Sequence, residues 1–387
     1  MTSSSHHGKS ARVAVVGGGV IGLATGWRLA REGFRVEVFE RDRAGRAASW
    51  VAGGMLAPVS EYGFDDDAFY AFGSRSLERY PSFLDELAQD SGMRVPLDTR
   101  GSLMVALDRD DAEAIRRLHR FRESRGLEVS WLAGTDARAI EPLLSPRVGA
   151  AMWIPDDHQV DNRALVDALV LALRARGGAL HEHAGVEAVR HAGGRVTGVR
   201  ARGEEVAADV VVLAAGCWTP ALPGLPEDVV PPVRPIKGQI VSLRAEAGST
   251  IGHVVRTPDV YLVPKADGRL IVGATQEEMG FDTTATAGPV MRLLERAWEA
   301  VPSIYDLAID SIDVGLRPGT RDHLPVIGET GIAGLILATG HYRHGILLAP
   351  ATADAVCAGV AGGFGEELSA FAPDRFAPAG RKDGTEG

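Results

Sequence analysis

The chain has 387 residues, 45% of them hydrophobic, enough to bury a sizeable core and too apolar for a disordered protein. Its 41 basic and 51 acidic residues give a formal net charge of -10 with no basic run, which argues against nucleic acid or an anionic membrane surface as a partner. Two cysteines, Cys217 and Cys357, give neither a disulfide framework nor a thiolate metal site a basis, and they fit a reducing cytoplasm.

The opening MTSSSHHGKS lacks the apolar stretch of a secretory signal, and no apolar run approaches the ~20 residues that span a bilayer. The expectation is a soluble, cytoplasmic protein with flexible tails at residues 1–10 and 373–387. Next comes RVAVVGGGVIGLATGWRLAREGFRVEVFERD. Its run Val13 to Val16 suits a strand buried on both faces of a parallel sheet. Gly17, Gly19 and Gly22 then fill a G-x-G-x-x-G turn, and Val20, Leu23, Ala24 and Trp27 recur at helical spacing until Gly33. Such glycines let backbone approach a pyrophosphate, which the helix N-terminus stabilises. The following strand ends in Glu40, about 20 residues on, where a carboxylate can accept the hydroxyls of a ribose. An acid there argues against a phosphorylated ribose, so the motif points to FAD or NAD.

RAASWVAGGMLAPVSE, Arg46 to Glu61, is small and Gly/Ala-rich, and could lie against a flat ring or be a plain surface loop. DDAEAIRRLHRFRESRG reads as an amphipathic helix with a mostly solvated charged face. The HEH at His181 to His183 puts two imidazoles on one strand face, but with no further ligands at matching spacing it makes no metal site. ADVVVLAAGCWTP, Ala208 to Pro220, is another apolar strand. GQIVSLRA, DVYLVPK and GRLIVGAT follow as strands, with a turn at Ala266-Asp267-Gly268. GPVMRLLERAWEAVP is a helix with a proline stop, and GLILATGHYRHGILLAPATADAV is a further strand-glycine-helix unit. Strand-glycine segments dispersed over the whole length imply one sheet built from non-contiguous pieces.

Several stretches together resemble the glycine oxidase and D-amino acid oxidase family of FAD-dependent oxidoreductases: SWVAGGMLAP, DVYLVPKADGRLIVGAT, VGLRPGTRDHLPVIG and GHYRHGILLAPAT. The similarity runs from about Arg12 to about Val356. It implies an α/β fold with a discontinuous Rossmann-like FAD-binding domain and a second, mostly antiparallel-sheet substrate domain. The first is expected at residues 11–90, 150–225 and 310–372, the second at 91–149 and 226–309. It also implies non-covalent FAD, a small amino acid and oxygen as reactants, oxidative deamination in the service of thiamine thiazole biosynthesis, and a homotetramer. Sarcosine and small D-amino acids stand beside glycine as substrates. A dehydrogenase feeding a quinone or protein acceptor, and a non-catalytic flavoprotein, are the alternatives.

Carried over by position, the resemblance implies that Val20, Ile21, Glu40, Arg41, Ala48, Ser49, Gly53, Gly54 and Met55 hold FAD beside the glycine turn. Val186 is placed at the adenosine end. The backbone of His341, Tyr342, Arg343, His344, Gly345, Ile346 and Leu347 is placed around the flavin ring. Tyr261 and Arg317 match substrate-carboxylate ligands, with Arg343 near both substrate and flavin. A planar guanidinium suits a carboxylate because it donates two charge-assisted hydrogen bonds at once. On the residues alone, Arg317 could instead pair with Asp313 or Asp322, and Arg343 could serve helix packing. Asp259 and Gln276 fall where a relative has His and Met beside the substrate. The stretch GLRPGTRD lacks the flavin-linking cysteine of the sarcosine oxidases.

Overall fold

The structure is a computed structural model and describes residues 10–227, 229–246 and 250–376. The G-x-G-x-x-G turn sits on a six-stranded sheet. Its order is Val326–Glu329, Leu335–Thr339, Val210–Leu213, Arg12–Val16, Arg35–Phe39 and Ala179–His181. Every neighbouring pair is parallel except the first, where the edge strand runs antiparallel. The central strands read as continuous apolar runs because both faces are covered. Helices Val20–Arg31, Asp67–Ser91, Asn162–Ala175 and Gly345–Gly362 bury Leu23, Trp27, Phe83, Leu169 and Leu348 against one face. The antiparallel sheet Val186–Ala192, Arg195–Ala201 and Glu204–Ala207 packs Val189, Val196 and Val199 on the other.

An eight-stranded sheet stands beside it. In order it comprises Ala308–Gly319, Arg234–Arg244, Arg269–Gly273, Tyr261–Pro264, Val254–Arg256, Ser102–Ala106, Ala150–Ile154 and Ser130–Ala133. All pairs are antiparallel except Val254–Arg256 with Ser102–Ala106. The strands expected on either side of Ala266-Asp267-Gly268 form the anticipated hairpin, with Gly268 at φ 86°. Ala150–Ile154 and Ala308–Gly319 belong to this sheet, although the sequence grouping placed them wholly or largely with the nucleotide segments. Helix Ala287–Ala300 buries Leu293 and Ala297 against it.

Three expectations change, and one holds with an exception. His183 has left the strand, at φ 54°, while His181 stacks on Phe39 and its ring bonds to Glu37, so the two imidazoles do not share a strand face. The amphipathic helix, Arg109–Ser124, has the mostly solvated charged face expected of it, with Arg122 as the buried exception, donating to the Ser60 carbonyl at 2.6 Å. Residues 373–376 form a 3-10 turn whose Arg375 pairs with Asp322, so the fold runs past the expected start of the tail; the remaining tail residues, and residues 1–9, lie outside the described residues. Gly345–Gly362 is long and apolar enough to cross a membrane by length and composition, and 67% of it is buried inside the fold.

Candidate active site

A cavity of 540 Å³ extends from the carboxyl ends of the parallel strands to the eight-stranded sheet. Its first half is made largely of backbone. Gly17 turns at φ 109°, and a Cβ there would lie 2.4 Å from the Ala214 carbonyl oxygen; a Cβ on Gly22 would lie 1.9 Å from that of Gly17. Only glycine lets strand and helix close so tightly. Helix Val20–Arg31 opens on Gly19 with no side-chain cap and no acid in its first turn, leaving an N-terminus suited to anionic oxygen. Ser49 Oγ accepts from Val20 N at 2.9 Å, and Asn162 Nδ2 holds the Ser49 and Trp50 carbonyls at 2.9 and 3.0 Å. Glu40 accepts from Gly18 N at 2.8 Å and Asp42 N at 3.0 Å, while the Arg41 guanidinium lies 3.8 Å from the centre of the Trp218 ring.

The second half is made of side chains. Tyr261 pairs directly with Arg256 across two antiparallel strands, so their side chains share a face. Glycines clear room for that face: a Cβ on Gly273 would come within 2.5 Å of the Tyr261 ring and hydroxyl, and one on Gly53 within 3.1 Å of the ring. The Arg317 guanidinium lies over Gly238, where a Cβ would stand 2.4 Å from Nη1, and Nη1 donates to the Thr275 carbonyl at 2.9 Å. Asp313 pairs with Arg163 at 3.0 Å and Asp322 with Arg375 at 2.8 Å, so the carboxylates that could have neutralised Arg317 are taken. Glu61 is clamped between Arg256, which it meets in a short contact, and Arg343 at 3.1 Å. Arg343 is half exposed at the cavity wall.

Charge states follow from burial and these pairings. Burial opposes ionisation of Glu61, but Arg256 and Arg343 override it and hold the carboxyl well below the usual range. Burial raises the Tyr261 phenol against the pull of Arg317 and Arg256, so it stays a hydrogen-bond donor. Burial lowers His341 to about 3 and His344 to about 4, which keeps both imidazoles neutral. His341 Nε2 lies 3.0 Å from Thr352 Oγ1, and His344 packs on Phe69.

A family model described as FAD dependent oxidoreductase matches residues 12–358. The chain belongs to that family. It is 37% identical over 344 residues to a glycine oxidase of Geobacillus kaustophilus, covering 88% of this chain and 90% of that protein. A glycine oxidase of Pseudomonas putida is 36% identical over 347 residues, covering 89% and 92%. The crystal structure of the Geobacillus kaustophilus glycine oxidase superposes with TM-score 0.88 at 35% identity, over 95% of this chain and 99% of that one.

The protein is an FAD-dependent oxidoreductase, and the cavity fits that cofactor. The glycine cradle and uncapped helix suit a pyrophosphate, Glu40 suits the ribose, and the small residues Gly53 and Gly54 leave a flat wall at the junction of the two halves. The residues carried over as FAD or substrate contacts line the cavity, as do Gly17 and Gly19; Gly22 does not, and its place is the packing contact with Gly17. Asp259 and Gln276 are both exposed and outside the cavity wall; Asp259 pairs at 3.4 Å with Arg296. Glu61, Arg256, Trp218 and Gly238 also line the cavity and were not singled out. One signal was present for Arg256: Thr257-Pro258-Asp259 between two apolar runs is a hairpin turn, which sets Arg256 opposite Tyr261.

Proposed function

We propose that this oxidoreductase carries out the oxidative deamination of glycine, or of a similarly small amine bearing one carboxylate such as sarcosine or a small D-amino acid. The observation that carries the reading is Arg317, laid over Gly238 with its natural carboxylate partners engaged elsewhere, beside the protonated phenol of Tyr261. The guanidinium fork and the phenol together offer donors to one carboxylate. The glycine oxidase names of the similar proteins support the same substrate class.

FAD, when bound, supplies the two-electron acceptor for the substrate Cα–H bond. The task of the chain is then to hold the carboxylate, aim Cα at the junction near Gly53 and Gly54, and take an amine in its neutral form. Among the described side chains that line this end of the cavity, Glu61 is committed to two guanidiniums, and His341 and His344 are held far below neutrality, so none of these three is poised as a strong base. The substrate ammonium therefore loses its proton to water. The imino acid hydrolyses to a 2-oxo acid and ammonia, or methylamine where the substrate is sarcosine, and oxygen takes up the electrons as hydrogen peroxide.

The same reading holds Gly17, Gly19, Val20, Ile21, Glu40, Arg41, Ala48, Ser49, Gly54, Met55, Val186 and the 341–347 segment as FAD contacts, without a covalent link. It keeps an FAD domain drawn from several chain segments beside a substrate domain, in a cytoplasmic homotetramer serving thiamine thiazole biosynthesis. Similarity to a bifunctional ThiO/ThiG protein of Synechocystis, 37% identical over 88% of this chain and 50% of that one, supports the biosynthetic role. The test is a panel of glycine, sarcosine, D-alanine and L-alanine read by oxygen uptake and peroxide release. Turnover of glycine with peroxide is expected. Flavin reduction without oxygen uptake would move the reading to a dehydrogenase, and no reaction with any small amine would overturn it.

A further inference from the structure

The carboxylate-binding end of the cavity carries more positive charge than a single substrate carboxylate needs. Arg256, Arg317 and Arg343 all line it, and Arg317 with Tyr261 is enough for one carboxylate. The other two guanidiniums converge on one point, and the chain fills that point with its own anion. Arg256 Nη1 donates to Ser60 Oγ at 2.5 Å and Nη2 meets Glu61 Oε1; Arg343 Nη2 lies 3.1 Å from Glu61 Oε2. Each carboxylate oxygen of Glu61 thus has its own guanidinium, as a bidentate guest would.

Glu61 is fixed there. It ends the short helix Pro58–Glu61, whose Ser60 N donates to the buried Asp157 at 3.3 Å and whose Ser60 carbonyl accepts from the buried Arg122 at 2.6 Å. Both sides of the clamp are largely desolvated on the Arg256 side, with 14% and 11% of the Arg256 and Glu61 side chains exposed. In such a site the repulsion between Glu61 and a second incoming carboxylate is poorly screened.

We propose that Glu61 is a specificity-determining residue: as a built-in carboxylate it occupies the anion position between Arg256 and Arg343, and so restricts the cavity to amines carrying one carboxylate. This rests on the proposed function, since it assumes that the first carboxylate goes to Arg317. Removing the charge of Glu61 leaves two guanidiniums without their counter-ion, and a second carboxylate on the ligand supplies one.

The test uses the FAD-loaded protein and two readouts. Glycine and iminodiacetate, which is glycine with a carboxymethyl group on nitrogen, are compared by kcat/KM. Acetate and malonate are compared by the change each makes in the flavin absorbance on binding, which needs no turnover. In Glu61→Gln the preference for malonate over acetate, and for iminodiacetate over glycine, should rise by at least ~10-fold relative to the parent. Adding Arg256→Met to Glu61→Gln should cancel the rise. Unchanged preferences in a flavin-bound Glu61→Gln protein would overturn the proposal, as would loss of flavin from both Glu61→Gln and Glu61→Ala, which would make the residue structural. A parent that oxidises no small amine defeats the proposed function alone, because the acetate and malonate readout still reports on Glu61.

Discussion

At one end of the cavity a ligand would meet mostly main chain: a glycine turn, a helix N-terminus and the wall Gly53-Gly54, all within the first sixty residues apart from the strand ends of the same sheet. At the other end it would meet side chains brought together from distant parts of the chain, with Arg256 reaching Glu61 across 195 residues and Arg317 reaching Thr275 across 42. The first end tolerates few changes, because a side chain at Gly17, Gly22 or Gly54 would collide with backbone. The second is built of flexible guanidiniums over small residues, so its selectivity can be altered without dismantling the fold.

That contrast orders the expected effects of mutation. Gly22→Val should be the most severe, since even its Cβ would lie 1.9 Å from the Gly17 carbonyl oxygen. Overpacking of that kind costs about 3 kcal/mol or more, and the variant should be recovered without flavin absorbance or not at all. Arg317→Met acts at the other end and should keep its flavin while the apparent KM for glycine rises more than ~100-fold, the scale of a lost bidentate charged contact. Near-normal saturation by glycine would break the assignment.

Gly238→Ala perturbs the side-chain end more gently. Its Cβ meets the mobile tip of Arg317 rather than backbone, at 2.4 Å from Nη1. Flavin content should be normal, and kcat/KM for glycine should fall by roughly 10-fold as the guanidinium is displaced. The effect least visible in turnover is on stability. His341 is buried, 2% exposed, and burial lowers it to about 3 from an ordinary 6.5. Between those values the unfolded chain binds a proton that the folded one refuses, so stability falls as pH drops from 6.5 towards 3 and is unaffected by this group above 6.5. Urea unfolding at pH 7 and pH 4.5 should show a smaller acid loss in His341→Gln than in the parent; equal losses would remove His341 from the account.

The backbone end was readable because strand, glycine turn, helix and terminal Glu40 are consecutive in sequence, and each obeys a local rule. The carboxylate end was readable only where whole motifs carried it. Arg317 and Tyr261 were found through the family resemblance, whereas Glu61 and Arg256 were not, because no local pattern marks a contact made between a four-residue helix and a strand end so far along the chain. Asp259 shows the opposite failure. It stands two residues before Tyr261, so a period of two would place both on one face, but Thr257 to Val260 is a turn and the strand starts at Tyr261. Register was thus predictable inside strands and not across their ends.

Whether one cavity joins an FAD site to a small-amino-acid carboxylate site through Arg317 is tested by an anaerobic titration of the purified flavoprotein with glycine. The oxidised-flavin absorbance should be lost with one glycine consumed per flavin, with no such loss at the same concentrations in Arg317→Met. Flavin that stays oxidised in the parent with glycine, sarcosine and small D-amino acids alike, or an Arg317→Met protein that bleaches as readily as the parent, would contradict such a joined site.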